Sequence, residues 1–133
     1  MEVDGSSYWM SENGFFTYDG QLKSMPCLVE DYVYDSVNDT SRDLINCGLN
    51  NLFGEINWFY CSENSDVVDR VVTYNYLDSS DKRPIWTTGS LARTAWQDSS
   101  VFNRPHATYY TTGDNDSFDV TGSGIIGLSL IHI

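Results

Sequence analysis

Basic side chains are scarce in this sequence: 7 Lys and Arg stand against 19 Asp and Glu, a formal net charge of -12. Holding the outside of DNA by counterion release takes clustered cations, so a DNA-gripping role is excluded. A strongly negative wall would instead repel polyanions and let DNA slide past, and it also keeps a protein soluble. Long hydrophobic runs are missing as well. No segment approaches the ~20 apolar residues of a membrane-spanning helix. The start, Met1-Glu2-Val3-Asp4-Gly5, lacks the basic residues and apolar stretch of a signal peptide, so intracellular synthesis is expected. The sequons at Asn38-Asp39-Thr40 and Asn115-Asp116-Ser117 then carry little meaning, because glycosylation needs a secretory route. The cysteines, Cys27, Cys47 and Cys61, are odd in number and have no C-x-x-C spacing, which speaks against a metal or redox site. Each sits beside apolar or strand-like sequence and reads as a small buried hydrophobe. Cys27 and Cys61 could pair in an oxidising compartment, though nothing requires it. Helical periodicity is almost absent.

Aromatic residues are plentiful, with 9 Tyr, 4 Trp and 6 Phe, and they lie among β-branched neighbours. That mixture suits pleated, half-buried surfaces and sets the chain apart from a disordered acidic tail. Tyr8-Trp9-Met10 reads as a short strand, and Ser11-Glu12-Asn13-Gly14 carries the Asn-Gly hairpin signal. Gly14 to Tyr18 follows as a strand, and Asp19-Gly20 turns the chain into Gln21 to Met25. From Leu28 to Asn38 two readings stand level. Val29, Tyr32, Val33 and Val37 would share a helix face, while Asp31 to Asp35 alternates as a strand does. Ile45 to Leu49 is a strand. In Gly54 to Tyr60, the residues Ile56, Trp58 and Tyr60 recur at period 2. Ser62 to Asp69 is a polar loop, Arg70 to Tyr76 the strongest strand, and Ile85 to Gly89 another. Leu91 to Trp96 bends or forms a strand, and Arg104-Pro105 breaks the chain before Ala107 to Thr111. The fold class expected is all-β, built of antiparallel meanders.

Phe15-Phe16-Thr17-Tyr18-Asp19 and Val71-Val72-Thr73-Tyr74-Asn75 share one pattern, and each follows a Trp-bearing strand, at Trp9 and Trp58. A hairpin repeated after roughly fifty residues has the period of propeller blades, chance likeness of aromatic strands being the competing explanation. The expected organisation is a partial β-propeller of about two blades. Its units are 1–53 and 54–121, followed by a tail over 122–133. A propeller has at least about four blades, so the chain reads as a fragment whose other blades lie in missing sequence or partner subunits.

The segment Glu55 to Ala107 resembles a blade of tail proteins from short-tailed phages, the nozzle or hub family of packaged-DNA stabilisation proteins. Glu55-Ile56-Asn57-Trp58-Phe59-Tyr60 and Asp69 to Tyr76 carry the likeness, with Trp86, Gly89 to Trp96 and Val101-Phe102-Asn103. The run from Tyr8 to Asp35 fits the preceding blade. The resemblance implies a non-enzymatic virion structural role in the tail, in the channel through which DNA leaves the capsid. It further implies a homo-oligomeric ring beside other tail and portal-proximal proteins, made in the host cytoplasm, with DNA passing unbound in any sequence-specific way. Trp58, Tyr74, Trp86, Arg93 and Trp96 are the structural and interface candidates. Arg93 is either an inter-subunit or inter-blade salt-bridge partner or a local tie within one blade. The ending departs from the family pattern, and Leu128 to Ile133 resembles translated adapter read-through, a genuine C-terminal strand being the alternative.

Enzymatic chemistry finds little footing. Asp19, Glu30, Asp31, Glu55 and Asp98 could supply a glycosidase pair, but with 19 acids any pairing is cheap. His106 lacks a G-x-S-x-G partner, and no H-E-x-x-H, Walker A or G-x-G-x-x-G occurs. Asp114-Asn115-Asp116-Ser117-Phe118-Asp119 offers alternating oxygens that would suit calcium, yet it lacks the Gly and distal Glu of an EF-hand. No cofactor or metal site is expected, and the alternative function is a carbohydrate-binding or glycoside-hydrolysing β-propeller fragment, with exposed Trp and Tyr stacking on sugar rings.

Overall fold

Asn13-Gly14 and Asp19-Gly20 turn the chain back on itself twice. Gly14 and Gly20 sit at φ of 136° and 114°, a region that L side chains rarely adopt. The result in the computed structural model is a four-stranded antiparallel sheet in simple chain order. Its strands are β1 (Glu2–Val3), β2 (Ser6–Ser11), β3 (Gly14–Tyr18) and β4 (Leu22–Met25). The residues described are 1–80, 82–98, 105–111 and 125–130. The calcium candidate at 114–119, the sequon at Asn115, the stretch 101–103 and His132 lie outside them.

Between the first and second sheets the chain is helical. The segment balanced between helix and strand forms α1 (Glu30–Tyr34), with Glu30 and Asp31 in its first turn, where negative charge suits the helix dipole. Val33 is fully buried, and Val29 and Val37 pack beside it. Tyr32 points outward instead, and Tyr34 takes the inner place. The Tyr34 phenol donates to the carbonyls of Ser11 at 2.6 Å and Gly14 at 3.0 Å, tying the helix to the first hairpin. A 3₁₀ segment follows at Asp39–Leu44. It begins at Asn38, whose side-chain oxygen accepts from the Thr40 amide while its Nδ2 donates to the Ser65 carbonyl.

The second sheet repeats the first in topology. Strands β5 (Asn46–Asn50), β6 (Glu55–Tyr60), β7 (Arg70–Asn75) and β8 (Trp86–Gly89) pair antiparallel in chain order. This sheet starts at Asn46, ahead of residue 54. A third sheet contains β9 (Ala95–Gln97), β10 (His106–Thr111) and β11 (Ile125–Leu130) in the order β11-β10-β9. Residues 128–130 therefore lie on a strand, opposite 106–108 of β10. Every ladder among the described residues is antiparallel, and the fold is all-β.

The second sheet is covered on both faces, and β6 shows why its sequence is so apolar. Ile56, Trp58 and Tyr60 join Val3, Phe15 and Met25 of the first sheet in one core. The intervening Phe59 and Cys61 join Val68, Val71 and Trp96 in a second core on the reverse side. A strand buried on both faces needs apolar residues at consecutive positions. Asn57 is the polar exception. Its amide oxygen accepts from Thr73 Oγ1 at 2.6 Å, and its Nδ2 donates to the Gly48 carbonyl at 3.4 Å, which removes the cost of burying it.

The repeat in the sequence corresponds to a repeat in register. In the first sheet Trp9 lies opposite Phe16, which lies opposite Ser24. In the second, Trp58 lies opposite Val72, which lies opposite Thr88. Phe16 and Val72 are matching positions of the shared motif, so the two tryptophans occupy the same site in successive sheets. The loops differ: Glu12 and Asn13 alone separate β2 from β3, whereas residues 61–69 separate β6 from β7.

Candidate functional site

The residues singled out from the sequence fall into two seams between sheets. Trp58, Tyr74 and Trp86 meet in the first seam, and Phe15 lies at its centre. Its ring centroid is 4.7 Å from that of Trp86 and 5.1 Å from that of Trp58, and Tyr74 lies 4.8 Å from Trp86. These tilted arrangements avoid the unfavourable face-to-face stack and add to the gain from burial. The Trp86 Nε1–H donates to the Pro26 carbonyl at 2.9 Å, so the indole crosses to the first sheet's chain and leaves no orphan donor.

Trp96 belongs to the other seam. Its ring packs on Phe59, with centroids 5.8 Å apart, and its Nε1–H donates to the Leu49 carbonyl at 2.8 Å. The indole lies over Gly48 of β5, where a Cβ would fall within its van der Waals surface. Arg93 precedes it. The guanidinium donates to the Ala92 carbonyl at 2.6 Å, and the Arg93 carbonyl accepts from Asn46 Nδ2 at 3.0 Å. These contacts hold the entry to the third sheet against the second.

Phe15 was not among the candidates, although the repeat motif contains it. Phe15-Phe16 is a pair of identical residues, and alternation alone does not say which of them faces the neighbouring sheet. Gly48 was also missed, since no turn signal surrounds it. Its requirement comes from a side chain some fifty residues away.

The carboxylates weighed as glycosidase groups have structural surroundings. Asp19 pairs with Lys23 at 3.5 Å on an exposed edge, Glu30 opens α1, and Asp98 accepts from the Asn51 amide. Burial pushes the Glu55 carboxyl above its ordinary range. Arg42, at the mouth of a groove of about 340 Å³ lined by Met10, Tyr34, Val37 and Ile45, is held by Glu12 at 2.6 Å and Asp39 at 2.8 Å. Among the described residues no three His, Cys, Asp or Glu side chains converge to hold a metal ion, and no helix is long and apolar enough to cross a membrane.

No protein-family model matches this sequence, and no curated protein matches it.

All three cysteines are free thiols. Burial is the main cause that pushes Cys27 up to about 11 and Tyr34 up to about 12, from 9.0 and 10.0. Both groups hold their protons more tightly folded than unfolded. Their contribution to stability is therefore complete below about pH 9 and is lost as pH rises through about 12. The melting temperature is expected to fall across that window, and Tyr34→Phe to flatten the part above pH 10. A melting curve indifferent to pH there would contradict the half-buried placement of both groups.

Proposed function

We propose that this chain is a structural subunit of a phage tail, a nozzle or hub component that lines part of the DNA-ejection channel and works by stacking sheets. The observation that carries the reading is the repeat in register. Two four-stranded meanders with the same strand order pack face to face, the Phe15 side of the first on the Trp58 side of the second, and a third sheet covers the reverse side of the second. That is the construction of propeller blades, whose faces are covered only by their neighbours. Closing a propeller takes more sheets than these, supplied by further sequence or further copies. The partners are then a ring of like subunits and other tail and portal-proximal proteins. The excess of acid fits a wall that DNA passes without adhering, since 19 carboxylates against 7 cations repel phosphate.

The genomic surroundings test the reading. A reading frame that continues into further meanders, beside portal and capsid genes, supports it. A frame set among metabolic genes overturns it.

One observation favours a second reading, a carbohydrate-binding module. A cleft of about 210 Å³ opens between the first two sheets, lined by Tyr8, Thr17, Asp19, Lys23 and Tyr74 among others. Aromatic rings beside hydrogen-bonding side chains suit a sugar. Binding on a glycan array that Tyr74→Ala abolishes would establish it in place of the tail reading.

A further inference from the structure

The three sheets stack in one sense, and this leaves unlike faces at the two ends. The face of the second sheet that carries Trp58, Val72, Tyr74 and Trp86 is covered by the first sheet. By register, the matching positions in the first sheet are Trp9, Phe16, Tyr18 and Leu22. Those four lie on the outer face, away from Phe15. Trp9 and Phe16 stack there with centroids 6.0 Å apart, while Trp9 is 36%, Tyr18 51% and Leu22 65% exposed. On β2, β3 and β4 this face has no charged side chain, in a chain that is 20% charged, and Glu2 stands at its margin on β1. An uncharged aromatic surface is cheap to desolvate and is the kind of patch that marks an interface.

At the opposite end the third sheet turns Trp96 and Ala107 toward the second sheet, as Trp58 turns toward the first. Among the residues whose side chains are described, its reverse face presents Ala95, Gln97, His106 and Thr108, with no Asp, Glu, Lys or Arg. By its position in the stack this face corresponds to the Phe15 side of the first sheet, the side that covers a tryptophan-bearing neighbour, although its side chains are smaller and more polar.

We propose that the outer face of the first sheet is the seat of a second copy of this chain, docked through the reverse face of that copy's third sheet. The proposal rests on the structural reading above and continues the established seams by one more step. Such a contact joins two different surfaces. It propagates head to tail and forms a ring where the rotation closes, or an open stack where it does not. It is not a two-fold dimer. From strand spacing and rise the face measures about 19 by 17 Å, so a single contact buries less than the about 800 Å² per partner of a standard interface. Assembly is therefore concentration-dependent, and it strengthens with added salt, which screens the repulsion between chains of net charge -12.

Analytical ultracentrifugation of the full chain, at rising concentration and at low and high salt, tests this. Two variants accompany it: Trp9→Ser with Tyr18→Ser, and Ala95→Glu with Gln97→Glu. The wild type is expected to form species larger than dimers, more so at high salt, and each variant alone to stay monomeric. Mixed, the two variants keep one intact face each and are expected to stop at a one-to-one dimer. A wild type that stays monomeric at about millimolar concentration overturns the proposal. So does assembly that saturates at a dimer, or failure of the mixed variants to pair. All four substituted residues are partly or well exposed, and a melting temperature near that of the wild type confirms folding. Should the Trp9 and Tyr18 variant fail to fold, the Ala95 and Gln97 variant alone decides, since normal assembly by it overturns the proposal. A monomeric chain found among portal and capsid genes would sink this inference and leave the tail reading standing.

Discussion

Phe15→Ala is expected to lower the melting temperature by more than about 10 °C, or to leave the chain unfolded. Phe15 has no exposed surface and touches Trp58, Trp86 and Tyr34, so its loss opens a cavity in the seam that joins the first two sheets. Truncating a buried Phe costs about 3–5 kcal/mol, because the transfer energy is lost and the surroundings relax only in part. Domains of this size have about 5–15 kcal/mol in all, and each kcal/mol moves the midpoint by about 2–8 °C. Phe16→Ala is the internal control. Phe16 adjoins Phe15 in sequence but stacks on Trp9 at the outer face, and its truncation in the monomer should cost well under half as much. Calorimetry on both variants decides the matter. Equal losses would contradict the placing of Phe15 on the covered face of β3 and Phe16 on the outer one, and a larger loss for Phe16 would mean that the faces are the other way round.

Gly48→Ala is expected to detach the third sheet while leaving the first two joined. The new methyl would overlap the Trp96 indole, which is not free to swing aside. Its ring is packed on Phe59, and its N–H is bonded to the carbonyl of Leu49, the residue next to the substitution. Either β5 shifts, which strains its pairing with β6, or the indole leaves and gives up both the contact and the hydrogen bond. Overpacking of this kind costs about 1–3 kcal/mol. Hydrogen exchange should show loss of protection over β9 and β10, with β2, β3 and β7 unchanged. The second variant, Gly48→Ala with Trp96→Leu, removes the overlap and should recover part of the protection in β5. Uniform loss across all three sheets would show that the seams are not separable.

Much of the strand pattern could be read locally, because it depends on neighbours in sequence. The Asn13-Gly14 and Asp19-Gly20 turns delimit β3, and the alternation of Ile56, Trp58 and Tyr60 does mark the face turned to the first sheet. The shared Thr-Tyr motif does mark equivalent strands, the third of each meander. The three cysteines do pack as apolar groups, Cys61 in one core and Cys27 and Cys47 against the other.

Other features were beyond such a reading. The stretch Leu28 to Asn38 suits a helix and a strand equally in its own residues. It is helical because Val33 fills the core and the Tyr34 hydroxyl reaches two carbonyls of the first hairpin. Trp9 and Trp58 have the same local surroundings and the same register. One is exposed and the other buried because only the second sheet has a neighbour on that side. β5 follows the first sheet in sequence but pairs with β6, a choice made by backbone hydrogen bonding across the Asn50 to Glu55 turn. Strand content, turns and face alternation were thus determined by the sequence alone, since period and turn chemistry act over a few residues. Which Phe is covered, which Trp is exposed and where Gly is obligatory were decided only in the tertiary structure, since each depends on a side chain brought from a distant part of the chain.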